Sequence, residues 1–445
     1  AHVGGVALVE ESLAAEIAED AVLDDRLDLS DAIGRQVMGV VKRDLTVVGL
    51  AEVGSCADSD PDVVGWTATV DTLEGGLVRV VNRPPPDAQP TWTLENDLLI
   101  GTVEGAGPAS FGEIKGVGVL PNGGIAILDS QAQEVRVFLS DGEYIATHGG
   151  PGQGPGEFVG AHGLMVSPSG ELWVPDGRGG RMTVLHPFEG FVSSFPMRLL
   201  LRGYVWEGVM ADDGRVLKPS ITLSGPRRNI LRVYDATMTL VDSIPLPDDP
   251  PHDPEDPPGA FYFESPNGRS SGYRQVPFYA SEQRLLDPTG AMWSTAAGDP
   301  SYRIQRWRPG GDTTLVIESE IEPIAVTPTE RDSVVDMLID ELRPRNGANQ
   351  DWSKIPDVKP AVAGVFMADD GALWVRTPSR YDETLYDVYE PDGRYRGTAV
   401  TRWTVWPWLR PIVKDGLFYA VVTNELDVPF VLRARLEEVA GAEGG

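Results

Sequence analysis

A short apolar strand, a tight turn closing on glycine and a second apolar strand recur six times along the chain. The copies run Val117–Leu128 around Gly123, Leu164–Val174 around Gly170 and Val209–Leu217 around Gly214. They continue as Leu285–Trp293 around Gly290, Val365–Val375 around Gly371 and Ile412–Tyr419 around Gly416. Successive turn glycines lie 47, 44, 76, 81 and 45 residues apart, so the unit is close to 45 residues and insertions follow the third and fourth copies. A third strand follows in each unit: Val135–Phe138, Met182–Leu185, Ile230–Tyr234, Tyr302–Trp307, Leu385–Tyr389 and Val431–Leu436. A fourth follows a further turn, as at Tyr144–Thr147 after Gly142 and Tyr395–Val400 after Gly393.

Four antiparallel strands in about 45 residues is the period of a propeller blade. The expected fold is therefore all-β: a six-bladed β-propeller of four-stranded antiparallel blades over residues 92–437. The ends of the chain fit this reading. The last unit stops at Leu436 after its third strand, and an unattached strand at Leu98–Val103 precedes the first unit. The segment after that strand, Glu104–Phe111, matches His148–Phe158, which follows a fourth strand. The N-terminal strand should thus complete the last blade and remove a free sheet edge.

Gly154–Phe158, His162–Asp176 and Arg181–Leu185 together resemble an NHL repeat, and residues 92–436 resemble the six-bladed NHL-like propellers of bacterial envelope proteins. The likeness is strong in units 1, 2 and 5 and weak in units 3, 4 and 6. It implies fold more firmly than activity, because this scaffold hosts lyases, lactonases, sensors and binding modules.

Glycine at 50 and proline at 37 of 445 residues exceed the usual shares of about 7% and about 5%, as a turn-rich β fold requires. The formal charge of −30 argues against nucleic acid, which needs a basic face, and against anionic lipid surfaces. The single cysteine, Cys56, excludes an intrachain disulfide and a Cys-rich zinc site. No uncharged apolar run approaches the roughly 18 residues of a membrane span.

Residues 1–60 read as an acidic extension with a helical stripe at Val9, Leu13, Ile17 and Ala21. Within it, residues 38–56 carry Lys42 and Arg43, then an apolar run Leu45–Ala51, then Val53–Cys56. This order resembles a bacterial lipoprotein signal, in which Cys56 would be the lipidated residue; Glu52 interrupts the pattern. The alternative is an ordinary buried segment with a stray cysteine. Residues 61–91 read as a hairpin around Glu74–Gly76 and a Pro-rich linker. Residues 438–445 read as a flexible tail.

Two insertions interrupt the propeller, at 245–280 and 320–360. Asp248–Pro258 is too rich in proline and carboxylates to build a core and reads as a solvated loop. Thr327–Glu330 is a helix start, followed by an apolar stripe of Val334, Leu338 and Leu342, which is expected to cover a face or rim of the propeller.

Propeller ligands bind where the loops entering the innermost strands converge. Stepping back eight residues from each turn glycine gives a candidate ring: Lys115, His162, Trp206, Glu282, Ala363 and Trp408. Glu207 adjoins it. Lys115, His162 and Glu282 are the candidates for an acid–base set. The metal-dependent NHL-like lyases carry histidines from several blades at positions like His162; here only one does, so no metal and no cofactor is expected. For His162 the competing reading is a structural imidazole, and for Trp206 and Trp408 it is core packing. The glycine-rich Gly149–Gly156 lacks a phosphate-loop ending and reads as an inter-blade loop.

The functional expectation is a monomeric, non-catalytic binding or scaffold propeller of the bacterial periplasm, outer envelope or extracellular space, lipid-anchored if Cys56 follows a working signal. Its partner would be a small molecule or a protein at the channel face. The alternative is a lyase or lactonase acting in the channel mouth.

Overall fold

All six turn glycines hold the left-handed backbone expected of them, with φ of 80° at Gly123, 89° at Gly170, 80° at Gly214, 82° at Gly290, 84° at Gly371 and 74° at Gly416. A residue with a Cβ is strained there, so glycine fixes where each chain reversal falls. The reversal then fixes register. The residues flanking the turns pair as Val119 with Ile125, Val166 with Leu172, Met210 with Val216, Leu286 with Met292, Met367 with Leu373 and Lys414 with Leu417.

The computed structural model describes residues 65–85, 88–197, 206–222, 228–265, 271–345, 347–378 and 383–439. The expected signal at 38–56 with Cys56, the rest of the extension to residue 60, and tail residues 440–445 lie outside the described residues.

Among the described residues the chain is all-β apart from short 3-10 turns and one α-helix, and it contains six four-stranded antiparallel ladders. Ladder 1 joins Ile114–Val119, Ile125–Asp129, Glu134–Phe138 and Tyr144–Gly149. Ladder 2 joins Met165–Val166, Leu172–Asp176, Arg181–His186 and Gly190–Pro196. Ladder 3 joins Val209–Met210, Val216–Ile221, Asn229–Tyr234 and Leu240–Pro245. Ladder 4 joins Arg284–Leu286, Met292–Ser294, Arg303–Trp307 and Thr313–Ser319. Ladder 5 joins Gly364–Met367, Leu373–Thr377, Thr384–Tyr389 and Tyr395–Thr401.

Ladder 6 joins Ile412–Lys414, Leu417–Thr423 and Pro429–Glu438 to a strand from the other end of the chain, Trp92–Ile100. The closing strand starts earlier than the sequence suggested, and its partner runs on to Glu438, which pairs with Trp92. Residue 438 is therefore strand rather than tail. A two-residue parallel bridge, Ala399–Trp92 and Val400–Thr93, also links ladders 5 and 6 into one eight-stranded sheet.

Neighbouring ladders share apolar clusters, and the clusters run in a circle. Leu128 meets Leu172 between ladders 1 and 2; Trp173 and Met182 meet Val216 and Tyr234 between 2 and 3; Leu217 meets Met292 between 3 and 4. Ile304 and Ile317 meet Leu373 and Tyr389 between 4 and 5; Phe366 and Trp374 meet Phe418 and Leu432 between 5 and 6. Tyr419 and Val431 of ladder 6 then meet Ile125 and Phe138 of ladder 1.

The hairpin at 61–91 belongs to this body. Thr67–Thr72 pairs with Val78–Arg83, and the latter runs parallel to the outer strand of ladder 4, with Val80 opposite Ile317. Fully buried Asn82 pins it to ladder 5: its Nδ2 donates to Gly393 O at 3.0 Å and its Oδ1 accepts from Tyr395 N at 2.9 Å. Trp66 stacks on Tyr395 with ring centroids 3.5 Å apart. The alternation in sequence announced the hairpin but carried no sign of its docking edge.

The two insertions also make one unit. The helix α1, Pro328–Leu342, has Thr327 as N-cap and a reciprocal capping box with Glu330. Its buried Leu338 packs with Phe261, Val276 and Ile355, on the hairpin Ala260–Glu264 and Ser271–Gln275 of the other insertion. The helix therefore buries its stripe on that hairpin, which the sequence reading had not paired with it. Asp248–Pro258 is exposed except at Pro257.

Two outcomes are expected. Removing Trp92–Ile100 should unfold or aggregate the chain, because Pro429–Glu438 would present an unpaired edge. An unchanged melting temperature and a monodisperse variant would contradict this.

The second concerns Asp387, buried between ladders 4 and 5, where it accepts from Tyr302 OH at 3.0 Å and Thr398 Oγ1 at 2.6 Å. Burial lifts its carboxyl to about 6, against these two hydrogen bonds, which pull it down. A raised pKa means that the fold favours the protonated form. The stabilisation is full below the ordinary carboxylate pKa of about 4 and disappears as pH rises through the folded value. Relative to Asp387→Asn, the wild-type chain should lose a few kcal/mol of stability across that window in denaturant titrations. A difference independent of pH would refute this.

Candidate functional site

The innermost strands and the loops entering them enclose a central cavity of about 1090 Å³, to which five ladders contribute strand residues and ladder 2 contributes its entering loop at Gly163 and Leu164. In ladders 1 and 2 the entering loops are held by a buried aspartate ending the second strand. Asp129 accepts from the backbone N–H groups of Gly112 at 3.0 Å and Glu113 at 3.2 Å, and pairs with Arg136 at 3.3 Å. Asp176 does the same for Val159 at 3.1 Å and Gly160 at 2.8 Å, with Arg181 at 3.6 Å. These anchors set the backbone just before Lys115 and His162.

Lys115, Trp206, Glu207, Glu282, Ala363 and Trp408 all line the cavity. His162 is not part of the wall; its neighbour Gly163 is. The reason is the approach of Trp206. A Cβ on Gly163 would sit 2.1 Å from Trp206 Cβ, so only glycine lets the indole close over this loop. Trp206 N donates to His162 O at 2.9 Å and the two rings meet edge to face at 6.2 Å. His162 is left 6% exposed, with Nδ1 3.1 Å from Gly160 O. Burial drives its pKa down to about 4; the Gly160 hydrogen bond opposes this, and Lys218 and Lys115 reinforce it. The imidazole is neutral at pH 7 and lies behind the wall.

Two carboxylates of the wall, Glu282 and Asp249, share one arginine. Glu282 Oε1 is 2.7 Å from Arg284 Nε, and Arg284 also meets Asp249 at 3.2 Å. Lys115 Nζ lies 3.5 Å from Glu113. The indole of Trp206, 9% exposed, carries Lys218 Nζ at 4.9 Å from its ring centre. Burial pushes this lysine down to about 8; Arg232 adds to the shift and Glu207 opposes it. Trp408 is the opposite case, 60% exposed at the cavity mouth beside Trp406.

The wall residues that stepping back from the turn glycines missed include Arg376, Tyr386 and Arg410. Arg376 comes from a second strand, opposite Gly364 of the innermost one. With only glycine there, the Arg376 side chain lies over the inner strand, its Cβ 3.6 Å from where a Gly364 Cβ would be. The legible signal was Ala363-Gly364 facing an arginine across a turn of known register. Arg410 lies in the tryptophan-rich run that leads into ladder 6 and donates to Arg284 O on ladder 4. It faces the open cavity yet is ringed by protein, which pulls its pKa down against the pull of Glu207. Among the described residues no group of three His, Cys, Asp or Glu is placed to hold a metal.

No protein-family model and no curated protein matches the chain. Solved structures similar to it include a streptogramin B lyase, at 12% identity and TM-score 0.41, covering 78% of this chain and 98% of that one. A member of the DUF4221 family from Bacteroides vulgatus is 9% identical with TM-score 0.47, covering 79% and 100%. An inactive virginiamycin B lyase from Staphylococcus aureus is 10% identical with TM-score 0.36, covering 84% and 100%. Likenesses this distant say nothing of chemistry, and the β-propeller description rests on the strand pairing and the ring of clusters. No helix among the described residues is long and apolar enough to cross a membrane.

The His162 ring gives a direct check. Its imidazole resonances should titrate with a midpoint near 4 by NMR. A midpoint close to the ordinary value of about 6.5 would mean that the ring faces water after all.

Proposed function

We propose that the chain is a six-bladed, NHL-like β-propeller whose central cavity binds a small molecule without transforming it. The observation that carries this reading is the wall itself. All six units, ladder 2 through its entering loop alone, contribute to one cavity of about 1090 Å³, large enough for a drug-sized ligand. Trp206, Trp307, Trp406 and Trp408 supply apolar surface, and a few charged groups supply orientation.

The catalytic alternative needs a general acid or base in reach of the same space. Lys115 and Glu282 are in the wall, each close to an opposite charge, while His162 is neutral behind Trp206. The wall therefore presents binding groups more readily than a lyase or lactonase set. The envelope location belongs to the proposal too: it rests on the signal-like order of Lys42, Arg43, Leu45–Ala51 and Val53–Cys56. An export signal ending in a lipidated Cys56 would tether the body by the segment before the propeller.

Gly364 offers a clean test, because a Cβ there meets only Arg376 at ordinary contact distance. The full chain is screened against a small-molecule library by quenching of tryptophan fluorescence, with product analysis of each hit. Binding of at least one compound, unchanged after incubation, is expected, and Gly364→Phe should abolish it, with a cooperative melting transition as the check that the variant is folded. Hits indifferent to Gly364→Phe would remove the cavity from the reading; turnover of a hit would favour the enzyme.

A further inference from the structure

The cavity wall carries four cations, Lys115, Arg284, Arg376 and Arg410, against three carboxylates, Glu207, Asp249 and Glu282. This positive balance stands inside a chain of formal charge −30. The ion pairs are unevenly distributed. Arg284 takes both Glu282 and Asp249, and Lys115 sits near Glu113. Arg376 and Arg410 make no ion pair among the described residues. Arg410 spans from the run before ladder 6 to Arg284 O on ladder 4, the two neighbours of the ladder that carries Arg376.

A third donor adjoins Arg376. Tyr386 lies opposite Arg376 in the strand register and also lines the cavity. It is 1% exposed, and its hydroxyl has no hydrogen-bond partner. A buried hydroxyl left unpaired is costly, and native proteins keep few of them. Arg376 and the orphaned hydroxyl beside it are donors that lack an acceptor among the described residues, while Arg410 donates to Arg284 O and feels the Glu207 charge without forming an ion pair. An oxyanion supplies what is missing, and arginine forks suit carboxylate-like geometry. The wall also carries four indoles, Trp206, Trp307, Trp406 and Trp408, among aliphatic and small residues.

We infer that the cavity takes an organic anion on an aromatic body, its acid group held by Arg376 with the buried Tyr386 hydroxyl behind it, Arg410 adding positive charge from another part of the same wall, and its rings lying on the tryptophans. This deepens the binding reading and rests on it. The ligand class is a carboxylate, sulfonate or phosphate ester of an aryl compound, not an amine and not a neutral aromatic.

Two fluorescent probes share one aromatic body: anilinonaphthalene sulfonate and the uncharged phenylnaphthylamine. The sulfonate should bind the wild-type chain more tightly than the neutral probe, and an aryl carboxylate should displace it. Arg376→Gln and Arg410→Gln should each weaken the sulfonate roughly ten- to a hundredfold, as expected for losing a charge-assisted hydrogen bond, and leave the neutral probe unmoved. Tyr386→Phe separates a ligand contact from a structural one. It should raise the melting temperature of the free chain by removing an orphaned hydroxyl, yet weaken the sulfonate.

Gly364→Phe keeps the two levels apart. If both probes bind, both are lost in Gly364→Phe and neither responds to the arginine variants, the cavity stands and the anion is overturned. If the sulfonate ignores Gly364→Phe, the cavity reading itself fails. If the sulfonate does not bind, or binds no better than the neutral probe, the anion inference is overturned. Should Arg376→Gln misfold, Arg410→Gln with the neutral probe as control decides the same question.

Discussion

The structure depends on one strand pairing, that of Trp92–Ile100 with Pro429–Glu438. Every other ladder is local in sequence, but this one joins residues more than 300 positions apart. Leu94 from the closing strand is packed into the cluster shared by ladders 5 and 6, and Ile100 into the one shared by ladders 6 and 1. The pairing therefore does more than cap an edge. It holds both interfaces of ladder 6, and without them the circle of clusters would open and expose apolar surface on each side of the gap. A cavity lined from all sides exists only because the circle is complete.

The segment just before that strand extends the same logic outward. Val78–Arg83 lies along ladder 4, Asn82 hydrogen-bonds into ladder 5, and Trp92 begins ladder 6. Three consecutive ladders are thus bound from outside by one continuous run of chain. Asn82 can be fully buried because both ends of its amide are satisfied by backbone groups of ladder 5. The Asp387 network with Tyr302 and Thr398 lies in the same seam, so the 4–5 interface combines apolar packing with specific polar contacts.

The repeat was legible in the sequence because glycine is the residue that tolerates positive φ, and the φ requirement recurs once per unit. From Gly123 to Gly416 the turn marks register, and register places residues eight positions upstream at the channel. That rule found Lys115, Trp206, Glu282 and Trp408 in the wall, because their distance along the chain translates directly into distance from the turn. It did not place His162 correctly, since the displacement of that ring depends on Trp206 from the next unit closing over Gly163. It missed Arg376 because a second-strand side chain reaches the channel only when its first-strand neighbour is small. The docking of Val78–Arg83 on ladder 4 and of α1 on Phe261 and Val276 was hidden for a similar reason. Both are contacts between segments distant in sequence, and periodicity within one segment contains no record of its partner.

The six units share a backbone and differ in what they show the cavity, and that difference gives the site a direction. Ladder 5 contributes Ala363 and Gly364, leaving space and an arginine; the runs entering ladders 3 and 6 contribute indoles; ladder 4 contributes both the Trp307 indole and the Glu282–Arg284 pair. Charged groups and indoles thus stand at fixed, unequal positions around the wall, so it discriminates orientation as well as composition. The outer surface works against attraction of an anion, because a charge of −30 repels one at long range. Salt limits that repulsion to about 8 Å at physiological ionic strength, beyond which an approaching anion senses little of it. The guanidiniums act inside that distance, in a concave and partly desolvated space where charge interactions are stronger. Arg376 and Arg410 are therefore placed to select a ligand that has already reached the mouth, and exposed Trp408 is the apolar surface it would meet first.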